Sequence, residues 1–342
     1  MDRKDFIKNR ILQTRKKRIL SIDEYVSGIK DGSRVMLGRA ITLIESTRAE
    51  HQALAREVVD KCLPFSGNSF RLGITGVPGV GKSTFIETLG MHVLEKGHKL
   101  AVLAIDPTSN LSRGSILGDK TRMQHLSVEE NAFIRPSPAG DSLGGVARKT
   151  REVATLCEAG GYDTVFIETV GVGQSETAVH SMTDFFLLLL LPGGGDELQG
   201  IKRGIVEMAD MIAVNKADSN PIAAKQAKQA YRNAVHLFPA KESKWTVKTH
   251  LCSALQGDGI SHLWQEILSY QSFSKENGYF HNKRKQQAVF WLKDTIGNSL
   301  LEMFRTHPKV MEKWDTLIQA VEEGAITPFA AAEVLLGFFR EK

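Results

Sequence analysis

Glycines, a lysine and a serine in residues 75–84 have the types and spacing of a phosphate-binding loop. The segment TGVPGVGKST satisfies the pattern G-x-x-x-x-G-K-[ST] and carries Gly79 as an additional glycine. Glycines let the backbone wrap around an anion with its N–H groups pointing inward, and the N-terminus of a following helix adds a favourable dipole. Lys82 is expected to reach the β- and γ-phosphates of a nucleotide, and the Ser83 hydroxyl is expected to bind Mg²⁺.

The flanking sequence favours this interpretation over a glycine-rich turn that only caps a helix. A strand-like segment, RLGIT, precedes the loop, and a helix-like segment, STFIETLGMHVLE, continues from it. Lys82 is also expected to act in catalysis. The residues assigned to the nucleotide phosphates are Gly76, Gly79, Val80, Gly81, Lys82, Ser83 and Thr84.

Residues 215–218, NKAD, follow the strand-like segment MIAV and fit the N-K-x-D element that recognises guanine. The carboxylate of Asp218 can accept hydrogen bonds from the N1–H and the exocyclic amino group of guanine. Adenine offers neither donor at that place and would leave the carboxylate unpaired. Sites built on such hydrogen bonds discriminate by about 10⁴ or more, so the nucleotide is predicted to be GTP or GDP.

Two more features complete the predicted base site. Asn215 is expected to brace the loop, and the Lys216 stem is expected to cover the face of the base. The segment CSAL, residues 252–255, looks like the later loop whose backbone contacts the guanine carbonyl. A surface turn without a ligand is the alternative for NKAD. The residues assigned to the base are Asn215, Lys216, Asp218, Ser253, Ala254 and Leu255.

An acidic residue near the γ-phosphate is expected from the segment FIETVGVGQ. Glu168 stands at the end of a predicted strand, and Gly171 follows three residues later, where many GTP-binding proteins have D-x-x-G. The longer glutamate arm can reach Mg²⁺ directly or through water, and the Gly171 N–H can sense the γ-phosphate. Val172 occupies the position where a glutamine usually orients the attacking water, so slow intrinsic hydrolysis is predicted.

Two further segments follow predicted strands. AIDPTS places Asp106 where its carboxylate would face the phosphates, with a cap before Pro107 as the alternative. Residues 191–204, LPGGGDELQGIKRG, join three consecutive glycines to charged residues directly after a buried strand. We interpret this segment as mobile, with an ordinary linker as the alternative.

Short apolar segments separated by helix-length spacers must position these residues. Segments that are apolar on both faces indicate a mostly parallel sheet covered by helices on both sides. The predicted fold is an α/β P-loop NTPase with helical extensions at both ends. The expected divisions are an N-terminal extension at 1–65, a core at 66–275 and a C-terminal arm at 276–342. The predicted strands are RLGIT, LAVLAID, DTVFIETV, FFLLLLL, MIAVNK and VKTHLCSA.

The C-terminal region is predicted to be helical. Leu292, Ile296 and Leu300 belong to an apolar series at three- and four-residue steps, and Pro328 after Thr327 marks the start of another helix. Appended helices need cover for their apolar faces. We favour a homodimer contact, with packing within the same chain as the alternative.

Composition and charge argue against several classes. The chain has 342 residues and a net charge of +5, with basic and acidic residues interspersed, so no nucleic-acid partner is expected. The basic cluster at residues 15–18 is interpreted as a solvated helix face. Three isolated cysteines and the lack of a secretory h-region favour a reducing, cytoplasmic location. The apolar run at residues 185–191 is too short to span a bilayer, so no membrane partner is expected.

The motif set as a whole closely resembles the MeaB/ArgK/MMAA family of P-loop GTPases. The shared segments are GVPGVGKST, AIDPTS, ETVGVGQSE, LLLPGGGDELQGIKRGI and NKAD. The glycine-rich segment is the most specific of these, since many GTPases share the others. The resemblance implies that residues 193–202 form a third switch, in which Gln199 and Lys202 respond to a client and help hydrolysis. It also implies Mg²⁺ contacts from Ser83, Asp106, Asp119 and Glu168.

This family acts as chaperones of adenosylcobalamin-dependent acyl-CoA mutases, notably methylmalonyl-CoA mutase. The resemblance therefore implies a dimeric, Mg²⁺-dependent GTPase that gates loading of intact cofactor into the mutase and helps to eject damaged cobalamin. The γ-phosphate and Mg²⁺ would hold the switch loops in one arrangement, which the mutase binds differently from the GDP arrangement. The sequence lacks a D-x-H-x-x-G cobalamin motif, so no cobalamin site is expected in this chain.

Three alternatives stay open. A nickel-delivering GTPase would need Cys or His clusters at ligand spacing, whereas the ten histidines are scattered and the three cysteines are isolated. A kinase acting on a transport-related protein, which older family labels suggest, would need a positioned base and an acceptor pocket. A GTP-regulated scaffold would bind a partner other than a mutase.

Overall fold

A parallel sheet of seven strands forms the centre of the structure. The structure is a computed structural model that describes residues 20–105, 123–136, 143–169, 175–193 and 203–340. The strands are β1 (Phe70–Gly76), β2 (Leu100–Ile105), β3 (Ala132–Arg135), β4 (Thr164–Thr169), β5 (Phe185–Leu190), β6 (Met211–Val214) and β7 (Lys248–Leu251). Their order is β3-β2-β4-β1-β5-β6-β7, and every neighbouring pair is parallel. The predicted α/β fold is confirmed.

The helices surround this sheet and extend beyond it. In chain order they are α1 (Ile22–Lys30), α2 (Arg34–Glu45), α3 (Ala49–Cys62), α4 (Lys82–Glu95), α5 (Leu143–Ala159), α6 (Ser175–His180), α7 (Arg203–Met208), α8 (Pro221–Val235), α9 (Ile260–Glu276), α10 (Tyr279–Arg305), α11 (Pro308–Glu322) and α12 (Pro328–Arg340). The expected helices before the core are present as α1 to α3. The basic cluster at residues 15–18 lies outside the described residues.

Most strands agree with the prediction, with two differences. The edge strand β3, AFIR, was missed because it has four residues and its last two are only partly buried. The segments MIAVNK and VKTHLCSA also extended too far, since β6 ends at Val214 and β7 ends at Leu251. The residues after those two ends leave the sheet and build loops.

Alternate residues along the strands contribute to two separate hydrophobic clusters, one on each face of the sheet. Leu103 belongs to the same buried cluster as Ile29 and Ile41 of the N-terminal helices. Its neighbour Val102 belongs to a second cluster on the other face, which includes Phe85 of α4. Successive strand side chains point to opposite faces, so helices on both sides make strands such as β2, β4, β5 and β6 buried at every position.

The C-terminal helices begin firmly attached to the core. Arg284 of α10 donates from Nε and Nη2 to the two carboxylate oxygens of Asp184, at 2.8 and 2.7 Å. Trp291 Nε1 donates to Ser181 O at 3.1 Å. The predicted helix start at Pro328 is confirmed. Beyond Trp291, α10 leaves most of its apolar side chains exposed.

No helix within the described ranges is both long enough and apolar enough to cross a membrane.

Candidate nucleotide-binding site

The candidate site lies at the carboxyl ends of the central strands. Strand β1 lies between β4 and β5 in the sheet. After β1 the chain adds β2 on the β4 side of the sheet, whereas β5, β6 and β7 are added on the other side. Ligands of open α/β sheets bind at such a point, where the strand order reverses. Strands β1, β4, β6 and β7 run parallel and all end at this edge.

The phosphate-binding loop connects β1 directly to α4. Gly79 and Gly81 have φ angles of 75° and 90°, which L-residues with side chains rarely adopt. At Gly76 a Cβ atom would lie 2.5 Å from Leu189 O of the neighbouring strand. These glycines therefore allow both the left-handed turns of the loop and its close approach to β5.

Lys82, the first residue of α4, carries the positive charge of the loop. Its Nζ donates to Gly76 O at 2.9 Å, so the side chain folds back across the loop. Burial lowers the pKa of Lys82, and the charges of Glu168 and Glu176 oppose that change. Val80 is buried and Ser83 is partly buried, while Thr84 is exposed.

Two buried acidic residues stand near this lysine. Glu168 lies on β4, paired in register with Ile74 of β1 and Ala104 of β2. Glu176, in the first turn of α6, is also buried. Glu176 was missed as a site residue, although it belongs to the quoted segment ETVGVGQSE, because spacing alone did not indicate that it would lie close enough for its charge to act on Lys82.

Asn215 joins the phosphate loop to the predicted base loop. Its Nδ2 donates to Val80 O at 2.8 Å, and its Oδ1 accepts from Ala254 N at 2.9 Å. Lys216 has a left-handed φ of 56°, and its Nζ donates to Gly79 O at 2.8 Å. The structure thus brings residues 76–84, 215–218 and 252–255 into one site.

The remaining base residues differ in exposure. Asp218 is exposed, so its carboxylate is accessible to a ligand. Ser253 is buried, and its Oγ accepts from Gln256 N at 3.2 Å. Ala254 O accepts from Thr88 Oγ1 of α4 at 2.8 Å. Leu255 is 77% exposed.

Several predicted site residues lie outside the described residues. Gly193, at the start of the predicted third switch, is described and has a φ of 92°. The structure gives no placement for the others, which are Asp106, Asp119, Gly171, Gln199 and Lys202.

The described donors fit a magnesium ion. Ser83 offers a hydroxyl in the first turn of α4, and Glu168 offers a buried carboxylate from β4. Mg²⁺ prefers oxygen ligands and is usually held by one or two carboxylates together with phosphate oxygens and water. Both donors lie on elements that converge on the phosphate loop.

Comparison with known proteins agrees with this geometry. Residues 37–309 match the family model described as methylmalonyl Co-A mutase-associated GTPase MeaB. A putative GTPase of Caulobacter vibrioides is 50% identical over 320 residues, covering 94% of this chain and 98% of that protein. GTPase ArgK of Escherichia coli is 41% identical over 321 residues, covering 94% and 97% of the two chains.

A mouse protein and a solved structure extend the comparison. The mouse protein, a methylmalonic aciduria type A homolog described as mitochondrial, is 44% identical over 332 residues, covering 94% of this chain and 80% of that protein. The crystal structure of a LAO/AO transport system kinase is similar with a TM-score of 0.75 and 35% identity, covering 93% of this chain and 97% of that one.

Proposed function

The chain belongs to the MeaB family of methylmalonyl-CoA mutase-associated GTPases, and from this premise we propose that it is a GTP-dependent chaperone of an adenosylcobalamin-dependent acyl-CoA mutase. We favour methylmalonyl-CoA mutase as the client. The chaperone would gate the loading of intact cofactor and help to release damaged cobalamin. The junction at Asn215 supports the GTP-dependent part of this proposal most directly, because it ties the phosphate loop to the loops assigned to guanine. The match to the family model supports a mutase as the client.

The residues of the site divide the work of binding and hydrolysis. Asp218 would select guanine, and Lys216 would cover the base. The backbone N–H groups of the phosphate loop and Lys82 would hold the phosphates. A bound Mg²⁺ supplies charge neutralisation on the phosphate oxygens. Ser83 and Glu168 would hold it, with Asp106 and Asp119 as the further proposed ligands.

Strand positions support a link between the nucleotide and the proposed switches. Residues 170–174 join Glu168 on β4 to α6, so a contact between Gly171 and the γ-phosphate would act on both. Residues 194–202 follow β5, whose Leu189 lies against Gly76. A third switch containing Gln199 and Lys202 would therefore start beside the phosphate loop.

The C-terminal helices support the proposed homodimer. Leu292, Ile296 and Leu300 are 61%, 51% and 53% exposed and follow one another at four-residue steps along α10, so they form an apolar stripe. The proposed arm, residues 276–342, begins at the end of α9. A second copy of the chain would cover this stripe.

Three buried thiols support a cytoplasmic location as part of the same proposal. Cys62, Cys157 and Cys252 are all free and buried. Free cysteines are typical of compartments that keep thiols reduced.

The client role is tested by measuring binding of purified mutase in the two nucleotide states. We expect the affinity for the mutase to differ at least about fivefold between GDP and a non-hydrolysable GTP analogue, which is the lower end of common coupling energies. The Asp218→Ala variant serves as a control, since it should lose this dependence at the same nucleotide concentration. Equal affinity in both states would remove the proposed timing role.

A further inference from the structure

Two histidines and a glutamate from separate parts of the chain meet at the outer edge of the sheet. His250 lies on β7, the last strand in the sheet order, while His262 and Glu266 lie four residues apart on α9. One ligand atom from each residue can be chosen so that all three lie within 4.8 Å of one another. Within the described ranges, no other trio of histidine, cysteine or acidic side chains comes this close.

One ring nitrogen of His250 is buried and free to bind a metal ion. Its Nε2 is buried and makes no hydrogen bond within the described part of the chain. Its ring meets the His262 ring edge to face, with centroids 4.8 Å apart. Burial, together with the nearby His262, lowers the pKa of His250 to about 4. The imidazole is therefore neutral at pH 7, which is the form that binds metals.

We propose that His250, His262 and Glu266 form a binding site for a divalent transition-metal ion of the zinc type. Two imidazoles and one carboxylate are a common zinc ligand set, and three protein ligands leave a fourth position for water. His262 is exposed, so this fourth position would face solvent. The site is separate from the proposed magnesium site and does not depend on the chaperone role.

The three ligand atoms need to come only slightly closer together to bind the ion. Bonds of about 2.0–2.1 Å in a tetrahedral site place ligand atoms about 3.3 Å apart. The three atoms would therefore have to move together by about an ångström from their limit of 4.8 Å. The exposed His262 and the partly buried Glu266 can supply this movement by side-chain rotation, while the strand holds His250.

Neighbouring lysines oppose the ion and give the proposal a distinctive consequence. Lys248 Nζ donates to Glu266 Oε2 at 2.5 Å, so the ion must compete with this ammonium group for the carboxylate. Lys228 also lies close enough for its charge to act on His250. Removing the positive charge of Lys248 should strengthen metal binding, whereas loss of a ligand should weaken it.

The test is calorimetric titration of the full-length, nucleotide-free protein with ZnCl₂ in excess Mg²⁺. We expect one Zn²⁺ to bind per chain. The His262→Ala and Glu266→Gln variants should bind it at least about tenfold more weakly, because losing even an outer-shell partner commonly costs 10- to 100-fold. Lys248→Gln should bind Zn²⁺ more tightly than the unmodified protein.

The control is His281→Ala, which removes an exposed histidine outside the cluster and should leave Zn²⁺ binding unchanged. His262 is exposed, so its replacement should not disturb folding, and circular dichroism checks this. Absence of Zn²⁺ binding by the unmodified protein, or equal affinity in His262→Ala, would overturn the proposal. Either result would leave the GTP-dependent function untouched, since none of these residues belongs to the nucleotide site.

Discussion

At the scale of single residues, Lys82 is the point where opposing electrostatic effects meet. Burial disfavours its ammonium form, while Glu168 and Glu176 favour it. A partly buried lysine of this kind binds an anion favourably, because a phosphate would compensate for its lost hydration. Glu168 and Glu176 thus partly offset the effect of burial on the Lys82 ammonium group.

Lys82→Ala should remove tight nucleotide binding. We expect the affinity for GTP to fall about 100-fold or more, since hydrogen bonds to charged groups are worth up to about 3 kcal/mol. Fluorescence titration with a labelled GTP analogue measures this. Lys96→Ala, an exposed lysine just after the same helix, should bind normally. Unchanged affinity in Lys82→Ala would refute the assignment of the phosphate loop.

Asp218→Asn should shift the base preference from guanine toward xanthine. The amide presents a donor that the additional carbonyl of xanthine can accept, and it loses the carboxylate that guanine needs. Competition between GTP and XTP measures the ratio of affinities. Asp258→Asn, in a neighbouring exposed loop, is the matched control. If Asp218→Asn retained full GTP affinity, NKAD would not be the base-recognition element.

At the scale of elements, sequence patterns predicted the strands and loops that are determined by local residue types and their spacing. Apolar runs located the central strands, and the glycine spacing located the loop between β1 and α4. The edge strand β3 was missed because edge position and partial burial give a weak apolar signal. The meeting of His250 with His262 was also missed, since it depends on how α9 packs beside β7. The role of Glu176 depends likewise on the direction in which α6 leaves β4.

The end of α6 is predicted to make the fold sensitive to acid. Burial and the charges of Lys283 and Lys241, opposed by Asp210, together lower the pKa of His180 from 6.5 to about 4. Between pH 6.5 and about 4 the unfolded chain therefore binds a proton that the folded chain excludes. The free energy of unfolding must then decrease as the pH falls through this window, by at most about 3 kcal/mol from this residue.

His180→Gln should reduce that pH dependence. Urea unfolding at pH 7 and pH 4.5 measures the loss of stability on acidification, which should be smaller in the variant than in the unmodified protein. Some dependence should remain, because the pKa of His250 is lowered in the same way. His281→Gln, at an exposed position, should keep the full dependence. An identical acid response in His180→Gln would show that His180 is not buried as a neutral group.

At the scale of the whole molecule, the proposed C-terminal arm and the candidate nucleotide-binding site lie at opposite ends of the strands. Arg284 fixes the start of α10 to Asp184, which lies just before β5. The nucleotide loops lie at the other ends of the strands. The apolar stripe on α10 is therefore anchored independently of the switches, and a dimer contact there need not change with the nucleotide.

Ile296→Glu should convert the proposed dimer to a monomer. A charge in the middle of the stripe would have to be buried without a partner. Light scattering coupled to size exclusion should show a mass near that of one 37.8 kDa chain in place of twice that value. Lys285→Glu, at an exposed polar position before the stripe, should stay dimeric. A monomeric unmodified protein would contradict the arm assignment.

The most direct test of the account is single-turnover GTP hydrolysis by the purified protein, alone and with an adenosylcobalamin-dependent acyl-CoA mutase from the same source. We predict slow basal hydrolysis and a stimulation of about tenfold or more by the mutase, equivalent to about 1.4 kcal/mol of barrier lowering. Lys202→Ala should keep nucleotide binding and basal hydrolysis but lose much of the stimulation. Identical rates without mutase, with apo mutase and with cofactor-loaded mutase would contradict the chaperone role.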